Sequence, residues 1–290
     1  MATPPLAEAW RPLLDLALAE DIGPGDLTSE LVVDTERTGR ARVEAREAMT
    51  VCGLPVVREV FRSVDPELVL LDTAGVEDGY QAKAGDVLLR VEGRYGSILT
   101  AERTALNFLG RLCGIASQTH RLVDSVAGLG VSLVDTRKTM PGWRILEKYA
   151  VAVGGGTNHR VGLYDAVLVK DNHIAAAGSL DAAVERAVKG APKGVPIQVE
   201  VESEDMANRA VELGCRFLLL DNMKPDAIRR VIEQHAPDIL LEASGGIGPA
   251  NLRSYAETGV ARISMGALTH SVTSTDVALE IDLDPSEHSS

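Results

Sequence analysis

Residues 197–246 read IQVEVESEDMANRAVELGCRFLLLDNMKPDAIRRVIEQHAPDILLEASGG. Three short apolar runs recur in this stretch, at 197–201, 217–220 and 239–241, and polar residues close them: Glu200, Asp221 and Ser244. Between the runs, residues 204–213 and 225–234 repeat their apolar side chains at helical spacing, and Gly214 sits where the first helix would stop. The closing residues are 21 and 23 positions apart, and a further step of 22 reaches Gly266. Strand, helix and strand at such steady spacing is a parallel βαβ unit, because a parallel return needs a crossover of this length.

The same alternation extends both ways. Residues 131–134 and 166–169 are two earlier runs, and 180–188 is a helix before the quoted stretch. After it come a helix at 249–257, opened by Pro249 and closed by Gly259, and a run at 262–265. Six such strands make a doubly wound sheet or a barrel short of the usual eight. Before about residue 115 the pattern is mixed. Strands are expected at 40–51, 68–71 and 87–91, and helices at 56–64 and 97–117. This part reads as an α+β domain. Residues 277–283 alternate like a strand expected to return to that domain, and the polar end at 285–290 is expected to fray.

Composition narrows the class. The 290 residues include 29 Lys+Arg and 42 Asp+Glu, a net charge of −13, with 45% hydrophobic and 24% charged residues. That is too apolar for disorder, and no run is long and uncharged enough for a membrane span. The acidic balance and 3% aromatics argue against nucleic acid as a partner. Cys52, Cys113 and Cys215 are distant and odd in number, which excludes a disulfide framework and disfavours zinc. No signal peptide is legible at the start, so the expected compartment is cytoplasmic.

Charge is uneven, however. Between Arg103 and Lys170 there are nine Lys/Arg and four acids, +5, leaving −18 elsewhere. A basic pocket in an acidic protein traps anions, each contact being worth about 4 kcal/mol before desolvation at roughly 4 Å and an effective dielectric of about 20. Within that stretch Arg144, Glu147 and Lys148 read as a solvated helix face.

Every strand of the second half ends in polar residues: Asp135 to Lys138, Lys170 to His173, Glu200 with Glu202, Asp221 with Asn222, Ser244 to Gly246, and Gly266 with Thr269 and His270. The carboxyl ends of parallel strands face the active site in barrels and open sheets. One such residue is ordinary loop chemistry; six groups of complementary sign read as a site. Ser244, Gly245 and Gly246 form a glycine-rich turn before a proline-opened helix, which suits a phosphate. Ser264 and Gly266 end the next strand and can share it. Glu200 and Asp221 end adjacent strands about 4.8 Å apart, placed for ribose hydroxyls, Mg²⁺ or a developing cation at a sugar carbon. The run Gly154-Gly155-Gly156-Thr157-Asn158-His159-Arg160 joins backbone freedom to anion-binding side chains.

Eight stretches together resemble the quinolinate phosphoribosyltransferase family: 20–28 (EDIGPGDLT), 101–108 (AERTALNF), 135–139 (DTRKT), 154–160 (GGGTNHR), 168–173 (LVKDNH), 220–223 (LDNM), 242–247 (EASGGI) and 266–271 (GALTHS). They follow in order along nearly the whole chain. Gly110 and Cys113 depart from the family's polar residues.

The resemblance implies an N-terminal α/β sandwich domain, residues 1–115 plus the returning 271–290, and an incomplete α/β barrel of six or seven strands at 116–270. It implies transfer of phosphoribosyl from 5-phosphoribosyl-1-pyrophosphate to quinolinate, with decarboxylation, giving nicotinate mononucleotide, pyrophosphate and CO₂ in NAD synthesis. Mg²⁺ is implied with the ribosyl donor, and no organic cofactor. Arg137, His159, Arg160 and Lys170 are expected to hold the base's two carboxylates, beside Thr136. A homodimer or larger assembly is implied, in which a partner subunit contributes Arg103. Lys138 is expected near the pyrophosphate or a substrate carboxylate, Glu200 and Asp221 at the ribose and Mg²⁺, and Ser244, Gly245, Gly246, Ser264, Gly266 and His270 around the 5′-phosphate. Lys138, Lys170, Glu200 and Asp221 are the expected catalytic groups.

Three alternatives stand beside this one. A paralogous transferase for another base would not require the whole cation set. A Schiff-base lyase would use Lys170 covalently. A non-catalytic phosphometabolite binder would need the glycine turn without both acids.

Overall fold

The computed structural model describes residues 2–282. The expected frayed end at 285–290 and the last residue of the strand expected at 277–283 lie outside it. The described residues divide into two compact units: one comprises 2–120, 140–155 and the chain from 272, the other 121–139 and 156–271.

In the first unit, helices α1 (Arg11–Ile22) and α2 (Leu27–Val32) precede strand β1 (Thr38–Ala45). Asp26 caps α2 by accepting the Ser29 amide at 3.0 Å. Then follow β2 (Met49–Thr50), α3 (Leu54–Val64), β3 (Val69–Asp72), β4 (Gln81–Ala82), β5 (Val87–Arg94) and the long α4 (Tyr95–Ser125), which continues past His120 into the second unit. Four strands pair antiparallel in the order β12-β1-β5-β3, where β12 is Val277–Asp282. The expected return of the chain's end is therefore a pairing with β1, with Val43 opposite Leu279. The single strand expected at 40–51 is two strands, because the exposed residues 46–48 break the alternation. Gly110 admits close passage of the segment before β12, since a Cβ there would sit 2.9 Å from the Thr275 carbonyl. Cys113 faces the Cys52 amide at 3.2 Å within the core. The two family departures thus have local packing reasons.

Helix α5 (Arg144–Val153) belongs to this unit, not to the 116–270 domain. Its expected solvated face is buried: Glu147 is 0% and Lys148 2% exposed. Arg111 on α4 donates to Glu147 from Nε at 3.0 Å and from Nη2 at 2.5 Å. Trp143 stacks on Phe108, ring centroids 4.6 Å apart. Paired charge and stacked rings, both many residues apart in sequence, override the helix's polar appearance.

The second unit alternates strand and helix: β6 (Ser132–Val134), β7 (Val167–Val169), α6 (Asp171–Ala177), α7 (Leu180–Gly190), β8 (Ile197–Val201), α8 (Glu204–Glu212), β9 (Phe217–Asp221), α9 (Pro225–His235), β10 (Leu240–Ser244), α10 (Leu252–Ala256), β11 (Arg262–Ser264) and α11 (Ala267–His270). Its six strands are all parallel, in the order β6-β11-β10-β9-β8-β7. The strand count is the lower of the two expected, and Thr157 adds only a single bridge to Val134 beyond β6. One face carries Val199, Leu218, Leu220, Ala243 and Ile263, all 0% exposed; each large side chain so buried contributes about 1.5–3 kcal/mol. The alternate residues face the cavity. The helix expected at 249–257 is only the five-residue α10, because Asn251 accepts the Gly248 amide at 2.8 Å and holds 248–251 in a turn. Any phosphate here would therefore meet loop amides rather than the dipole of a long helix.

Candidate active site

The register of the sheet assembles the site. Ser244 lies beside Asp221, and Leu219 lies between Glu200 and Glu242 on the neighbouring strands. Period-two alternation then sends Glu200, Asp221, Glu242, Ser244 and Ser264 to one side. They line a cavity of about 740 Å³, within the usual range for small-molecule sites. Thr136, Arg137, Lys138, His159, Arg160, Lys170, Gly245, Gly246, Gly266 and His270 line the same cavity. All fourteen site residues expected in this unit are thus together. Arg103 lies in the first unit, on α4, with an exposed side chain 3.8 Å from Glu102.

One wall is cationic. Arg137 Nε is buried without a hydrogen-bond partner. Arg160 donates to the Ala166 carbonyl at 3.1 Å. Burial, and then the charge of Arg137, hold Arg160 below the usual arginine range. Two guanidiniums crowding each other form a site for a negatively charged ligand. Lys170 Nζ is paired with Glu200, so the expected base-binding lysine and ribose-binding acid touch in this structure.

Another part of the lining is built on turns. Gly245 has φ +90°, and a Cβ there would lie 2.3 Å from Asn222 Oδ1. Asn222 has φ 55°, gives its amide to the Ser244 carbonyl at 3.0 Å, and donates from Nδ2 to Asp221 at 2.6 Å. It thereby fixes both the Asp221 carboxylate and the glycine turn. A Cβ on Gly266 would meet Lys138 Cδ at 2.8 Å, so the second turn stays bare to let Lys138 pass. Thr269 holds the Lys138 carbonyl at 2.8 Å.

The floor holds residues that the sequence reading did not assign. Gln198 Oε1 lies 2.8 Å from His159 Nε2. Glu242 is 0% exposed, with Oε1 3.6 Å from His159 Nε2 and Oε2 3.0 Å from Arg262 Nε. Burial pushes the Glu242 carboxyl up, opposed first by the nearby charge of Arg262. The sequence signal for them was period two: both point inward with Glu200 and Ser244.

A parallel sheet that gathers guanidiniums, paired acids and two bare turns at its carboxyl edge defines an anion-handling α/β-barrel protein. Sequence comparison is more specific. The family model described as quinolinate phosphoribosyl transferase, N-terminal domain, matches residues 26–113, and the C-terminal domain model matches 115–280. The chain belongs to the quinolinate phosphoribosyltransferase family. It is 39% identical over 271 residues to a probable nicotinate-nucleotide pyrophosphorylase [carboxylating] of Bacillus subtilis (strain 168), covering 93% of each chain. It is 41% identical over 282 residues to the nicotinate-nucleotide pyrophosphorylase [carboxylating] of Mycobacterium leprae (strain TN), covering 94% of this chain and 98% of that one. The solved nicotinate-nucleotide pyrophosphorylase from Francisella tularensis superposes with a TM-score of 0.91 at 36% identity, covering 96% and 98% of the two chains.

Proposed function

We propose that the protein transfers phosphoribosyl from 5-phosphoribosyl-1-pyrophosphate to quinolinate and releases CO₂, forming nicotinate mononucleotide and pyrophosphate for NAD synthesis. The observation that carries this is the pair Arg137 and Arg160: two crowded guanidiniums, one with an unpartnered buried Nε, facing two strand-end acids. Quinolinate brings two adjacent carboxylates. Arg137 and Arg160 grip them bidentately, and Lys170 turns from Glu200 to join them.

Loop amides at Gly245, Gly246 and Gly266, with Ser244, Ser264 and His270, hold the 5′-phosphate. As the bond from the ribose carbon to pyrophosphate breaks, positive charge develops on the sugar, and Glu200 and Asp221 stabilise it. Lys138 faces the departing pyrophosphate. The ring nitrogen of quinolinate then gives its lone pair to the ribose carbon. With that nitrogen quaternised, the bond to the adjacent carboxylate breaks, its electrons stay on the ring, CO₂ leaves and a proton fills the position. The cationic ring is the electron sink, so the chain needs no organic cofactor for this step.

Glu200 and Asp221 suit Mg²⁺ arriving with the ribosyl donor: both give hard oxygen donors, and among the described residues no group of three or more His, Cys, Asp or Glu could hold a metal unaided. Bound there, Mg²⁺ would neutralise charge on the leaving pyrophosphate.

The working assembly we propose is a cytoplasmic homodimer in which a partner subunit supplies Arg103. In support, Arg103 is exposed on its helix, and Leu16, Leu27, Leu31 and Val32 leave large apolar side chains uncovered on α1 and α2. Among the described residues no helix is long and apolar enough to cross a membrane.

The decisive experiment incubates the protein with quinolinate, the ribosyl donor and Mg²⁺ and follows nicotinate mononucleotide, with nicotinate as control base. Product from quinolinate alone is expected. Equal or better use of nicotinate would overturn the assignment of the base.

A further inference from the structure

Glu242 is a puzzle in a cavity built for anions. It is a carboxylate with no exposure at all, lining the same space as Arg137, Arg160 and Lys170. Burying a charge carries a heavy desolvation cost, so its neighbours matter. Arg262 stands directly beside it in the register of β10 and β11, its guanidinium 5.2 Å from the Phe217 ring centroid. Yet its Nε, 3.0 Å from the carboxylate, is off line for a hydrogen bond, and both Glu242 oxygens lack an aligned donor. Charge balance with Arg262 alone is a poor use of that geometry.

The other neighbour is His159. Its Nδ1 accepts the Arg160 amide at 2.8 Å, which leaves the ring proton on Nε2. That proton is directed to Gln198 Oε1 at 2.8 Å, with Glu242 Oε1 at 3.6 Å behind it. Both ring nitrogens therefore have protein partners, and Asp135 holds the His159 amide at 2.8 Å.

The geometry points to Glu242, with Gln198, as a positioning residue: it fixes the His159 ring, which fixes the Arg160 backbone and so aims the Arg160 guanidinium at the base's carboxylates. This rests on the proposed quinolinate site.

The test measures quinolinate binding calorimetrically without the ribosyl donor, and then KM for each substrate and kcat. Glu242→Gln keeps the shape and removes the charge. It is expected to weaken quinolinate by about ten-fold, to raise its KM alike, and to leave the KM of the ribosyl donor within about two-fold. In the His159→Ala background the same substitution should add nothing, because its effect runs through the ring. Should Glu242→Gln not fold, Gln198→Leu removes the 2.8 Å contact to the same ring and decides. A folded variant that binds quinolinate as the wild type does, or loses both substrates equally, or adds its full effect without His159, overturns the inference. Wild-type protein that binds no quinolinate overturns instead the reading beneath it.

Discussion

Arg111 and Arg137 come from the same basic stretch of sequence, and both are half-buried. Arg111, in the first unit, reaches Glu147 twice, and the other Glu147 oxygen accepts the Met140 amide at 3.2 Å. Arg137, in the second unit, keeps a buried Nε with no partner, beside another guanidinium. One cation is satisfied by the fold, and the other, on the proposed function, is held for a ligand. Satisfied buried charge is architecture; unsatisfied buried charge at the carboxyl edge of a sheet is function.

The most forceful way to break this comparison is Arg111→Ala. It strands Glu147 without its cation, and breaking a buried pair costs about 3–5 kcal/mol. Urea unfolding should show that loss, while the surviving folded enzyme keeps its KM values. Unchanged stability with a changed quinolinate KM would put Arg111 on the ligand side of the divide. Arg137→Ala should do the opposite. It removes a charge whose proposed partner is substrate, so kcat/KM for quinolinate should fall by about 10²–10³-fold, with the unfolding midpoint unmoved or raised. A large loss of stability with ordinary kinetics would erase the distinction between the two arginines.

How much of this was readable without coordinates follows the same line. The barrel was legible because a repeat of 21 to 23 residues and a period-two alternation are local signals. The site residues were legible because strand ends announce themselves as polar groups after apolar runs. The partners of Arg111 were not: Glu147 lies 36 residues away on a helix that looks solvent-facing in sequence. The basic stretch summed Arg111 and Arg137 as equals, since only packing tells them apart. The floor pair Gln198 and Glu242 escaped for another reason. They sit one inward position below the strand-end residues, where a polar side chain gives no turn or charge run to mark it. The helix at 249–257 was overread because a proline after glycines opens a turn as readily as a helix.

A third test asks whether function can be divided between chains when structure is not. Arg103→Ala and Lys170→Ala should each be nearly inactive, because one lesion lies on the exposed arm and the other in the cavity. In a hybrid dimer one site is intact and the other carries both lesions. Equal mixing should thus restore about a quarter of wild-type sites. Verified subunit exchange with no regain would remove the partner's Arg103 from the site.

The smallest effect sharpens the rule on the satisfied side. Asp78 accepts the Gly53 and Leu54 amides at 3.0 Å each and the Tyr149 hydroxyl at 2.7 Å. Burial nonetheless pushes its carboxyl above the ordinary 3.8, against the pull of those hydrogen bonds. An acid raised in the folded state gives its full stabilisation below its unfolded pKa and loses it as pH rises through the folded one. The wild type should therefore lose stability between about pH 4 and pH 7 on this account. Asp78→Asn cannot titrate, so its stability should fall less over the same interval, whatever its absolute value. Urea midpoints at the two pH values for both proteins measure the difference, and every other titrating group cancels. Identical pH slopes would mean that donors, not desolvation, set the charge of Asp78, and that the divide between satisfied and unsatisfied charge is drawn by hydrogen bonds alone.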